Sequence, residues 1–169
     1  MRLFHISEEK GIKAFSPRPI KKEVFPKLKG KYIWAITDEM VHNYYFPRNC
    51  PRVCRMIGKD TTESEKENFY KYGRQKGIIF INQEWKDRIY KTILYRYEFD
   101  IKNFELIDYE AGYYISTKEE IPIAVIEISN PIRELELEGI LINYTEDLEK
   151  YRIENAKSKY RFSNIKINS

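Results

Sequence analysis

The apolar residues of this chain come in short runs of strand length, each broken by proline, glycine or clustered charge. The clearest are Arg2 to Ile6 (RLFHI), Lys31 to Thr37 (KYIWAIT), Val53 to Ile57 (VCRMI), Ile78 to Asn82 (IIFIN) and Ile121 to Ile128. Runs of this length suit strands and fall well short of the ~18 uncharged residues that a bilayer span requires. Ile, Tyr, Phe, Val and Trp supply 53 of the 169 residues, and Ala only 5, which excludes an all-helical bundle. A chain of 169 residues predicts one domain, 1–169. The net charge of +4, from 30 basic and 26 acidic residues, is too balanced for a polycationic tail and too charged for a membrane protein. The N-terminus lacks the apolar stretch of a secretory leader, so a cytoplasmic location is expected. Cys50 and Cys54 are too few for a disulfide framework, and reduced thiols are expected.

The pattern along the chain predicts strands at 2–6, 31–37, 53–57, 78–82, 89–99, 104–107, 113–116, 121–128, 140–144 and 160–167. Helices are expected at 39–46, at 63–72 behind the Thr62/Glu65 capping box, at 131–138 with Pro131 in first position, and at 145–156. Ser16 to Lys31 carries three prolines, a glycine and six basic residues against one acid, and reads as a long basic surface loop. Strands and scattered short helices without strict alternation favour an α+β domain with three or four short helices on a curved, largely antiparallel sheet. GxGxxG, GxxxxGK[ST] and GxSxG are absent from the sequence.

Several residues are candidates for a site. His5 stands in the first strand, where either ring nitrogen can donate or accept. Tyr32 and Trp34, two apart, share one strand face and can stack a purine or nicotinamide. Arg48, Arg52 and Arg55 lie within ten residues beside two prolines, and arginine is the natural bidentate partner of phosphate or carboxylate. Cys50, Cys54, His5 and His42 total four conceivable zinc ligands, but C-x3-C without a second paired motif is too loose, and no metal is expected. Glu110 precedes Ala111-Gly112, where small residues admit a ligand beside a strand.

The blocks Leu3-Phe4-His5-Ile6-Ser7-Glu8, Trp34-Ala35-Ile36, Phe46-Pro47-Arg48-Asn49-Cys50-Pro51-Arg52-Val53, Gly112-Tyr113-Tyr114-Ile115-Ser116 and Ile121-Pro122 resemble a small bacterial family of unknown function. More distantly, the order of His5, Tyr32 or Trp34, and the later strands is similar to ADP-ribosyltransferases. That resemblance implies a split antiparallel sheet around NAD, with His5 on a ribose hydroxyl and Tyr32 or Trp34 near the nicotinamide. In that family the catalytic Glu immediately precedes the aromatic run. Here Gly112 holds that place, and Glu110, one pleat away, is the candidate.

The resemblance implies an NAD- or nucleotide-binding protein, either active through Glu110 or catalytically degenerate, and the arginine-rich segment offers Arg48 or Arg52 as further ligand contacts. The alternative is a non-enzymatic module whose basic loop and arginine cluster meet an acidic partner or nucleic acid.

Overall fold

The computed structural model describes residues 1–20, 25 and 28–167. Its elements are β1 (Leu3–Ser7), β2 (Arg18–Pro19), β3 (Lys31–Thr37), β4 (Arg52–Met56), α1 (Glu63–Phe69), β5 (Gly77–Asn82), α2 (Lys86–Lys91), β6 (Leu94–Phe99), β7 (Glu105–Asp108), β8 (Tyr113–Ser116), β9 (Ala124–Ile128), α3 (Pro131–Leu137), β10 (Ile140–Thr145), α4 (Leu148–Lys157) and β11 (Arg161–Ile165). The content is mixed, with an antiparallel sheet, a mixed sheet and four α-helices among the described residues. None of these helices is long and apolar enough to cross a membrane. The contacts divide the chain into two compact units, Met1–Val41 with Tyr95–Glu127 and His42–Leu94 with Ile128–Ser169.

In the first unit the strand order is β7-β8-β3-β1-β6-β9, and β2 pairs with the start of β3. Antiparallel register sets Leu3 opposite Phe99 and His5 opposite Tyr97 on β6, and Leu3 opposite Thr37 on β3. Side chains alternate faces along a strand, so Leu3, His5, Ile33, Ala35, Tyr97 and Phe99 share one face. Leu3, Ile33, Ala35 and Phe99 form its core, with Phe15, Phe104 and Tyr114 packed against them. Each fully buried side chain of this size contributes about 1.5–3 kcal/mol.

The second unit is built on the sheet β10-β5-β4-β11. Strands β4 and β11 run antiparallel to their neighbours, while β5 and β10 are parallel over Gly77↔Ile140 to Asn82↔Thr145. A parallel pair needs a long crossover, so no local turn signal announces it. All of β4 is buried, and Val53, Phe69, Ile78, Phe80, Leu148 and Tyr160 form a core beside it.

Capping fixes where the helices begin. Thr62 accepts from Glu65 N, and Glu65 Oε1 accepts from Thr62 N, closing the expected capping box. Asn130 caps α3 ahead of Pro131, and Asp147 caps α4.

Two expectations are corrected. The helix expected at 39–46 is a single 3-10 turn, Val41–Tyr44, because Pro47 leaves no room for a further turn. The strand expected at 89–99 begins only at Leu94. Residues Lys86–Lys91 are helix α2, with Ile89 buried and Thr92 Oγ1 donating to Arg88 O at 2.6 Å at its end. Strict period-two alternation starts at Leu94, and only there does a strand form. Of the basic loop, residues 21–24, 26 and 27 lie outside the described residues.

Candidate functional site

His5 sits where β1 and β3 part. Their ladder consists of two pairs, Leu3↔Thr37 and Phe4↔Ile36, although β1 continues to Ser7 and β3 begins at Lys31. At the parting, the His5 ring replaces a backbone donor: Nδ1–H donates to the Trp34 carbonyl at 3.1 Å. A carbonyl only accepts, so this bond assigns the proton to Nδ1 and leaves Nε2 with its lone pair. Burial pushes the His5 pKa below its ordinary value, the Trp34 carbonyl opposes this, and the positive charge of Arg18 adds to it. The ring is therefore neutral at physiological pH, with Nε2 an acceptor.

Aromatic rings fix its orientation. Phe15 meets His5 edge-on with ring centroids 5.0 Å apart, and Phe15 in turn packs against Tyr97 at 5.1 Å and Phe99 at 5.0 Å. Tyr97 OH donates to Glu9 O at 2.6 Å and accepts from Ile12 N at 3.1 Å, tying the segment after β1 to this wall. Phe15 also exchanges two backbone hydrogen bonds with Glu120, and the buried Glu120 accepts from Ser116 Oγ at 2.7 Å. The burial of Glu120 follows from the long-range bridge to Phe15, for which the local sequence carries no signal.

Tyr32 and Trp34 share a face, but it is the face opposite His5, because Trp34 alternates with Ala35 and shares the face of Ile36 and its partner Phe4. The Trp34 ring stacks on Phe25 at 5.5 Å and meets Tyr113 edge-on at 5.9 Å. Tyr32 OH donates to Lys29 O at 2.6 Å. What Trp34 offers His5 is its carbonyl, and its ring stands elsewhere.

Glu110 lies in the exposed turn between β7 and β8. The irregularity in the β7–β8 register falls between Leu106 and Asp108, and Gly112 closes a turn at φ 73°. Gly112 O accepts from Thr37 N at 3.0 Å, which presses the turn onto the end of β3. A Cβ at position 112 would lie 2.6 Å from Thr37 Oγ1 and 3.0 Å from Met40 Cγ, so this backbone cannot carry a glutamate there.

Arg48 and Arg52 belong to the second unit. Arg48 is exposed, whereas Arg52 is 5% exposed and donates through Nε to Asn43 O at 2.6 Å and through Nη1 to Cys50 O at 2.8 Å. Its guanidinium also lies 5.2 Å from the rings of both Tyr44 and Phe46. Arg52 is thus engaged in holding the 43–50 segment. The sequence-predicted arginine cluster is not one surface, because Arg55 too is only 4% exposed. Burial raises the thiol pKa values of Cys50 and Cys54 to about 11 and about 12. Among the described residues no group of three or more His, Cys, Asp or Glu stands close enough to hold a metal ion.

Arg55 carries the second notable geometry. An arginine inside the apolar run Val53-Cys54-Arg55-Met56-Ile57 must be matched by its surroundings. Its guanidinium stands 4.8 Å from the Phe80 ring, 5.0 Å from Tyr160 and 5.8 Å from Tyr151. Nη2 donates to Tyr151 O at 3.2 Å and meets Glu154 Oε2 at 3.5 Å, while the buried Nε has no hydrogen-bond partner. A pocket of about 350 Å³ opens beside it, lined by residues that include Ser64, Asn68, Glu154, Lys157 and Tyr160.

No curated protein and no solved structure matches the chain. A family model, that of a family of unknown function (DUF6886), matches residues 4–169, a span that includes His5, Arg52, Arg55 and Gly112. By that match over nearly its whole length, the chain belongs to the family of unknown function DUF6886.

Proposed function

We propose that this protein binds a nucleotide of the NAD class at the parting of β1 and β3, on an ADP-ribosyltransferase-like sheet, without transferase activity through Glu110. The observation that carries this reading is the neutral His5, held by the Trp34 carbonyl through Nδ1 with Nε2 left as an acceptor beside Phe15. A ribose hydroxyl donates to such a nitrogen. The Phe15 and Tyr97 rings supply the apolar wall that binding pockets use to bury a ligand, and the charge of Arg18 beside the ring suits a pyrophosphate.

Catalysis by glycosidic cleavage needs a carboxylate at the ribose to stabilise the oxocarbenium-like transition state. Glu110 lies in an exposed turn and Gly112 has no room for a side chain, which supports binding without transfer. Neither Arg48 nor the engaged Arg52 is part of this proposed site.

Calorimetry with NAD, ADP-ribose and nicotinamide, on the wild type and on His5→Ala, tests it. NAD and ADP-ribose should give saturable heat, weakened about tenfold in the variant by the loss of one hydrogen bond. No heat with any of the three ends the reading.

A further inference from the structure

The guanidinium of Arg55 is better provided with aromatic surface than with acceptors. Three rings surround it, and the Phe80 and Tyr151 rings are themselves stacked at 3.8 Å. Nε and Nη2 together form the side edge of the guanidinium fork, the edge that grips a carboxylate or phosphate in two parallel bonds. Arg2 shows that edge fully used: it donates from Nε and Nη2 to the two oxygens of Glu98, each at 2.9 Å. At Arg55 it is half used. Nη2 has the Tyr151 carbonyl, Nε has nothing, and Glu154 reaches only Nη2, at 3.5 Å, from a side chain that is 43% exposed. A buried charged donor without an acceptor is costly, and arrangements of this kind mark places where the missing acceptor is supplied from outside.

The pocket beside Arg55 has the size for such an acceptor. Its volume of about 350 Å³ suits a small organic molecule. Lys157 adds a second positive charge on its wall, and Ser64 and Asn68 add short polar side chains. The other acid on the wall, Glu65, is already committed: its oxygens accept from Thr62 N, Thr62 Oγ1 and Lys159 N. Glu154 is the one wall carboxylate held loosely, and its exposure lets it swing into solvent.

We infer that the Arg55 pocket is a binding site for a small molecule carrying a phosphate group, which takes the side edge of the Arg55 guanidinium in place of Glu154 and meets Lys157 at the rim. The planar fork matches two phosphate oxygens, whereas the half-made contact to Glu154 gives it one. Tyr160, on the pocket wall, offers its ring to whatever the phosphate carries. The site lies within the second unit and owes nothing to His5.

The test uses the full chain with phenyl phosphate, inorganic phosphate and phenylacetate as probes. It is followed by nitrogen-15 NMR of the arginine Nε–H signals and by calorimetry. Phenyl phosphate should move the Arg55 Nε–H resonance saturably, and it should bind more tightly than inorganic phosphate. Lys157→Glu, at an exposed position, should weaken it at least about tenfold with thermal stability unchanged, and Glu154→Gln should strengthen it. No shift of the Arg55 signal with either phosphate overturns the inference. So does affinity for phenyl phosphate that Lys157→Glu leaves unaltered, and so does phenylacetate binding as tightly as phenyl phosphate. Arg55→Lys is left aside as the primary variant because it disturbs the buried packing of β4.

Discussion

Gly112 and Thr37 are in such close contact that a single added methyl group at Gly112 would stand 2.6 Å from Thr37 Oγ1. The glycine is also held at φ 73°, a left-handed conformation that side chains disfavour. Both effects act on Gly112→Ala, which should destabilise the protein by roughly 2–4 kcal/mol, from backbone strain and overpacking together. Urea denaturation reads this directly. A variant as stable as the wild type would show that the turn can shift away from β3. In that event Gly112→Glu would become a feasible route to a catalytic carboxylate.

His42 is buried and neutral, with burial, Lys76 and Arg161 driving its pKa from 6.5 down to about 3. The unfolded chain takes up a proton near pH 6.5, whereas the folded one resists until about pH 3. Unfolding therefore gains protons in that window, and stability present above pH 6.5 is lost as the pH falls, by roughly 1.4 kcal/mol for each pH unit. Comparing denaturation of the wild type and His42→Gln across pH 4 to 7 isolates this slope. The variant should show a flatter profile, and parallel profiles would assign the acid sensitivity to other groups.

Burial keeps the thiols of Cys50 and Cys54 protonated at pH 8, since their pKa values are pushed up to about 11 and about 12. Only the thiolate attacks. A chromogenic disulfide reagent should label neither residue in the folded protein and both once denaturant is added. Labelling of native protein at the rate of free cysteine would contradict the buried placement.

Arg52→Ala removes the donors that Asn43 O and Cys50 O now share, along with contact to the rings of Tyr44 and Phe46. The loss should be roughly 2–4 kcal/mol in chemical denaturation. Arg52→Lys should recover only part of it, because one ammonium cannot span two carbonyls in the guanidinium's geometry. Full rescue by lysine would mean that charge alone, without the fork, holds the segment.

What the sequence makes legible is what neighbouring residues decide. Thr62 with Glu65, and Asn130 with Pro131, announce helix starts because each cap closes within one turn. Strand β3 matches its expected bounds because Lys31–Thr37 is an apolar run fenced by Gly30 and Asp38. The illegible features depend on partners far along the chain. His5 appears in the sequence as a candidate, but its acceptor is the Trp34 carbonyl 29 residues away, and nothing local says that the Trp34 ring turns to the other face. Glu120 is buried through Phe15, and Arg55 sits among Phe80, Tyr151 and Tyr160. Charge in an apolar run marks Arg55 as unusual, but only the fold shows what surrounds it.

The chain passes from one compact unit to the other at 41/42, returns at 94/95 and leaves again at 127/128. Neither unit can therefore be cut out as a continuous stretch. During synthesis β1 has to wait for β6, and β5 for β10, so each sheet stays unfinished while the other's strands emerge. Pairings this distant make for slow folding, in which apolar edges stay open for a time. A nascent chain halted near residue 94 would hold incomplete pieces of both sheets, with the apolar edges that β6 and β10 later cover still open.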